Sequence, residues 1–138
     1  MEHTMLLLNG LLNFVIYFGL AVVFLMVFKA VYVRVTPHDE WKLIKEDKNT
    51  AAAIAFSGAI IGFALAVAGV VKNSVSLFDF TVWATVALVA QLVAFAIVRF
   101  AFMPKIVERI EQNEISAGIM VASVSVAIGC LNAACMTY

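Results

Sequence analysis

Four stretches of this chain carry no Asp, Glu, Lys or Arg: residues 4–28, 49–71, 80–98 and 115–138. Their lengths of 25, 23, 19 and 24 residues match the roughly 20 helical residues, at about 1.5 Å each, that cross a hydrocarbon core about 30 Å thick. The shortest is bounded by Asp79 and Arg99, whose side chains can reach along the helix to the interface. The charge gaps therefore predict an all-α polytopic membrane protein with four transmembrane helices, formed from residues 1–138 as a single domain.

Composition removes the soluble alternative. The chain is 64% hydrophobic and 13% charged, against about 45–50% and about 25% in soluble domains. A soluble bundle needs a polar stripe on each helix, whereas residues 59–71 and 86–98 are apolar around nearly the whole circumference. With no net charge and no basic block, the electrostatic footprint of a nucleic-acid binder is missing, and no nucleic-acid partner is expected. The first run has no Lys or Arg before it and exceeds the roughly 7–15 apolar residues of a signal core, so it is expected to stay attached.

Lys and Arg set the orientation, because short basic connections are retained in the cytoplasm. Lys29, Arg34, Lys42, Lys45 and Lys48 flank the first connection, and Arg99, Lys105 and Arg109 the third; only Lys72 lies on the other side. Connections 29–48 and 99–114 are thus predicted cytoplasmic, with both termini outside.

Shifting the chain by 67 residues without a gap places Val22 on Val89, Leu25 on Leu92, Phe28 on Phe95 and Pro37 on Pro104. The same shift places Ala51, Ala55, Gly58, Gly62 and Ala66 on Gly118, Ala122, Ser125, Gly129 and Ala133. This predicts a tandem parallel repeat of two-helix units, residues 1–71 and 72–138, related by an axis along the membrane normal. The repeated small residues form one face on the second and fourth spans, with Gly58 and Gly62 in GxxxG spacing. Close packing rather than apolar burial joins helices in lipid. The two faces are therefore expected in tight contact, either with each other or across a homo-oligomer interface.

The charged connections have their own pattern. Thr36 before Pro37, followed by Asp39 and Glu40, reads as an N-cap, a first-turn proline and acids facing the positive end of a helix dipole. Pro104 opens the second such segment. Trp41, Leu43 and Ile44 in the first, and Ile106, Val107 and Ile110 in the second, give each an apolar side. Short amphipathic cytoplasmic segments are expected, with Trp41 at headgroup depth. Twelve of the 18 charges fall in residues 37–48 and 104–114. Asp39, Glu40, Trp41, Lys42, Lys45, Glu108 and Arg109 are therefore candidates for docking a cytoplasmic protein partner, the alternative being a solvated linker.

Chemistry has little to work with. Asn9, Asn13, Gln91 and Asn132 are polar positions within the spans; with Ser125 they either line a pathway for an ion or small solute or hydrogen-bond between helices. No ionisable side chain is expected in the centre of any span, where ion-coupled transport ordinarily has one. His3 and His38 are predicted on opposite sides of the membrane, and Cys130 and Cys135 match no zinc or redox spacing. No catalytic residue, metal site or cofactor is expected.

The run 36–45, TPHDEWKLIK, the residues Asn49, Thr50, Ala51, Ala52 and Ala55, Phe56, Ser57, Gly58 after it, and the ending NAACMTY at 132–138 resemble the YjfL-type bacterial inner-membrane proteins, a family known only as domain of unknown function 350. The resemblance covers nearly the whole chain. It implies a bacterial inner-membrane protein with four crossings and transfers no catalytic residue. Two readings follow: a non-enzymatic protein that self-associates in the bilayer through its small-residue faces and presents residues 37–48 and 104–114 to a cytoplasmic partner, or an oligomeric channel or small-solute pathway.

Overall fold

A backbone in hydrocarbon must satisfy its own N–H and C=O groups, which leaves an uncharged run of this length little choice but a helix. The computed structural model describes residues 2–35, 40–102 and 105–136, and for Glu40, Trp41 and Phe102 the backbone alone. It is all helical: α1 (Glu2–Val35), α2 (Glu40–Lys45), α3 (Thr50–Asn73), α4 (Leu77–Ile97), α5 (Ile106–Glu111) and α6 (Ile115–Cys135), with a π-helical turn, Val98–Phe102, extending α4. Among the described residues there is no strand, and α1, α3, extended α4 and α6 are each long and apolar enough to cross a membrane. The protein is a membrane protein in contact with a lipid bilayer.

The centre of the fold is the pair α3 and α6, which run parallel. Gly118 abuts Ala51, Gly58 abuts Ala122, Gly62 abuts both Ser125 and Gly129, and Gly69 abuts Ala133, so the partners advance together along both helices. Approach is closest at the glycines. A Cβ on Gly62 would lie 2.7 Å from the carbonyl carbon of Ser125, and one on Gly129 would lie 2.7 Å from the carbonyl carbon of Gly62. Backbone rests on backbone there, and no rotamer change could make room for a methyl group. Ala51, Ala55, Gly58, Gly62 and Ala66 are all buried, as are Gly118, Ser125 and Gly129, while Ala122 and Ala133 are half-buried.

α4 packs against both of these helices, and aromatic contacts fix α1 to the outside. Phe28 stacks on Phe63 with ring centres 4.7 Å apart, and Tyr32 sets its edge against Phe56 and Phe95 at 5.7 and 6.0 Å. Tyr17 and Phe24 both meet Phe80 edge-on, at 5.7 and 5.8 Å. These pairs set the directions: α1 runs antiparallel to α3 and parallel to α4, giving four alternating crossings.

Two details depart from the sequence reading, and one lies beyond what the structure describes. α1 does not end near Lys29 but runs on to Val35, because Phe28 and Tyr32, both buried, hold its last two turns against the bundle. Lys29, half-buried, consequently stands near the level of Phe63, in the middle of α3. That is deeper than a charge was expected. α2 is described from Glu40 onward, so the proposed cap at Thr36 and Pro37 lies outside the described residues, as does Pro104. α5 does not merely float at the surface: Ile106 and Ile110 are fully buried against the bundle.

The glycine contact gives a direct test. Gly129→Ala should lower the unfolding free energy in detergent by about 1–3 kcal/mol, the usual penalty for overpacking. Gly19→Ala should not, because a Cβ there meets nothing within 4 Å. Equal behaviour of the two variants in a thermal or SDS-induced unfolding assay would refute the close contact.

Candidate functional site

A network of polar contacts lies where α3 and α6 begin. Lys48 and Asn113 each adopt a left-handed backbone, with φ of 51° and 58°, and each immediately precedes the residue that starts a long helix, Asn49 before α3 and Glu114 before α6. Asn49 is the N-cap of α3: its side-chain oxygen accepts from the Ala52 amide at 2.9 Å, satisfying one of the donors that a helix start leaves open. The same side chain reaches the other connection, because its Nδ2 donates to the carbonyl of Ile110 at 2.8 Å and to that of Glu111 at 3.4 Å. Asn113 returns the link, its side-chain oxygen accepting from the Ala51 amide at 2.9 Å. Two asparagines thus clasp the two charged connections into one body, and Asn49 is buried there.

An ion pair stiffens the second connection. Arg109 donates to Glu114 through Nε at 2.8 Å and also through Nη2, and Ser116 Oγ donates to the same carboxylate at 3.3 Å. The hydrogen bonds from Arg109 hold the Glu114 carboxyl below the usual carboxylate range, and Glu114 raises Arg109. Both side chains remain over a third exposed, so the pair is partly screened by water. Beside this clasp, Lys42, Leu43, Asp47 and Glu111 line a depression of about 220 Å³ shared by the two connections.

The sequence-derived candidates fall into three groups. Lys42, Lys45 and Glu108 are exposed on this surface; Arg109 lies there too but is engaged by Glu114. Asp39 lies outside the described residues, as do the side chains of Glu40 and Trp41. The polar residues within the spans do not converge. Asn9 and Asn13 stand exposed on α1, and Asn132 is half-buried on α6. Gln91 is enclosed among α3, α4 and α6, 1% exposed, with Nε2 donating to the Ser125 carbonyl at 3.1 Å and Oε1 buried without a hydrogen-bond partner. Of these four residues only Gln91 is enclosed, so any lining that they share would have to be completed by a second copy of the chain.

Sequence reasoning passed over Asn49, Asn113 and Glu114. Asn49 had a local signal, a capping residue directly before an apolar run. The clasp had none, since its acceptors are backbone carbonyls 61 and 62 residues away. Among the described residues no cluster of three or more His, Cys, Asp or Glu could hold a metal ion, and Cys130 and Cys135 are exposed free thiols.

The clasp and the ion pair separate in experiment. Asn49→Ala should cost about 0.5–2 kcal/mol through the cap alone. Asn49→Asp keeps the cap acceptor but sets an oxygen against the Ile110 carbonyl; it should also lower the thermal midpoint, which a pure capping role would not require. For Glu114, a carboxyl depressed in the folded state adds stability above its ordinary pKa, and that contribution is lost as pH falls through the depressed value. A carbon-detected NMR titration should therefore show Glu114 ionised below the usual carboxylate range, and Arg109→Gln should return it there.

Against known proteins, the family model described as Domain of Unknown Function (DUF350) matches residues 5–136. The chain is 41% identical over 132 residues to the "UPF0719 inner membrane protein YjfL" of Escherichia coli strain K12, covering 96% of this chain and 98% of that protein. It is equally similar to the protein of the same name in Escherichia coli O157:H7. No solved structure matches. Neither the family description nor the name of these relatives carries an activity. With the match running almost from end to end, the chain belongs to the DUF350 family.

Proposed function

We propose that this chain is a non-enzymatic protein of the bacterial inner membrane that self-associates in the bilayer and offers its two charged connections, as one platform, to a cytoplasmic protein partner. The observation that carries this reading is the asparagine clasp. Asn49 of the first connection binds the carbonyls of Ile110 and Glu111 in the second; the charged segments are therefore parts of one surface and not two independent linkers. The distribution of Lys and Arg assigns that surface to the cytoplasm, and the name of the relatives favours an inner membrane. A left-handed residue stands two positions before both α3 and α6, but at a spacing of 65 residues where the ungapped shift is 67, so the reading of residues 1–71 and 72–138 as related halves rests on the sequence repeat. Self-association belongs to surfaces other than the small-residue stripes, which meet each other inside the chain.

Lys42 and Glu111 lie on different connections yet line the same depression, so photo-crosslinkers placed at each should capture the same protein in native membranes. Asn49→Ala combined with Asn113→Ala should diminish both captures together, while membrane insertion persists. A crosslinker at Phe78, 80% exposed at the opposite end of the bundle, should not capture that protein. Different products from Lys42 and Glu111, or the same product from Phe78, would remove the platform.

A further inference from the structure

The fold leaves the outer half of α1 without surroundings that suit it. α1 has 34 residues, about 51 Å of helix at 1.5 Å per residue, against a hydrocarbon core of about 30 Å. Tyr17 and Phe24 both contact Phe80, within one turn of the start of α4. The residues from Glu2 to Ile16 therefore rise about 22 Å beyond that level, and every residue from Glu2 to Val15 is exposed. Asn9 and Asn13 lie in this segment, and among the described residues neither amide has a hydrogen-bond partner.

Both placements of the bilayer are unfavourable for a lone chain. If the hydrocarbon follows the uncharged run of α1, the two carboxamides sit in lipid with nothing to bond, at a cost of kilocalories for each group. If it follows α3 and α6 instead, Leu6, Leu7 and Phe14, each more than 60% exposed, stand in water. A surface that is mostly apolar but offers matching donors and acceptors resolves both cases.

Asn9, Asn13, Ile16, Leu20, Val23 and Val27 recur at intervals of four, three, four, three and four residues, the spacing of a left-handed two-helix seam. Asn9, Asn13, Val23 and Val27 are exposed, and Ile16 and Leu20 half-buried; Leu20 also packs against the core of its own bundle and Asn13 borders a depression shared with Val71, so the stripe runs along the flank of α1 beside its bundle-facing side. We propose that this stripe is the contact between two copies of the chain, α1 against α1 in parallel, with the Asn9 and Asn13 amides of one protomer exchanging hydrogen bonds with those of the other. A carboxamide both donates and accepts, so it complements itself. Two copies oriented by the same distribution of Lys and Arg place Asn9 beside Asn9 at one depth. The packing stripes of α3 and α6 cannot serve instead, because they are occupied within each chain. The proposal rests on the self-association put forward above and gives it a location.

The test uses the full chain with exposed Cys130 and Cys135 replaced by Ala, as single-cysteine variants in native membranes. Oxidation should link dimers through Asn9→Cys and Asn13→Cys, with about tenfold less product from Leu11→Cys and Val15→Cys, which face away from the seam at about 100° per residue. In the native-cysteine chain, Asn9→Leu combined with Asn13→Leu should weaken the dimer by about tenfold, the order expected for a few interhelical hydrogen bonds in lipid, with the thermal midpoint of the fold unchanged. Equal linkage at all four positions, or a dimer indifferent to the double substitution, would overturn the seam while leaving self-association standing. A chain that stays monomeric in lipid nanodiscs by native mass spectrometry would overturn both.

Discussion

Backbone contact between α3 and α6 at Gly62 and Gly129 is the constraint on which the rest of the bundle depends. In water such a crossing would be one contribution among many, since burial of larger side chains would dominate. In lipid, an apolar side chain gains little by leaving acyl chains for protein, and close approach supplies what burial cannot. Each glycine gives up helix propensity, about 1 kcal/mol relative to Ala in water, and in return lets two carbonyl-bearing backbones touch. The alanines at 51, 55 and 66 extend the seam without widening it.

The remaining elements build on that axis. α4 places Gln91 against Ser125 beside the glycine contact, a polar contact at the junction of three helices. The asparagine clasp closes the same pair at its beginning, so α3 and α6 are tied both by mid-helix packing and by hydrogen bonds between their caps and connections. α1 is joined differently. Its ring contacts with the bundle stop at Tyr17, supplemented by aliphatic side chains such as Leu20 and Leu25, and the turns before Tyr17 are largely exposed. The fold therefore combines a tight three-helix unit with a fourth helix that is only partly engaged.

Much of this was legible in the residues. Charge gaps located all four spans, because an ionised side chain in hydrocarbon is costly enough to be nearly absent from such runs. The small-residue faces could be read as well, since a stripe of Gly and Ala on a membrane helix has few purposes other than proximity. Helix rotation and register were not legible: Asn9, Asn13, Gln91 and Asn132 look alike in a sequence, yet one is enclosed, one half-buried and two exposed. The end of α1 was misjudged at Lys29 because a charge marks an interface only when nothing stronger holds the helix, and the stacking of Phe28 on Phe63 does. Backbone carbonyls such as that of Ile110 have no letter of their own, so the clasp became visible only when both connections were in place.

The parallel pairing of α3 with α6 also bears on the order of assembly. Neighbouring helices joined by a short loop can zip together as a hairpin soon after leaving the translocon, but these two are separated by the whole of α4 and α5. During synthesis the glycine face of α3 must therefore wait, solvated by acyl chains, until α6 has entered the bilayer beside it. The lock of the fold is its last event, and a ribosome stalled before α6 would leave behind three inserted helices with their best contact surface still unclaimed.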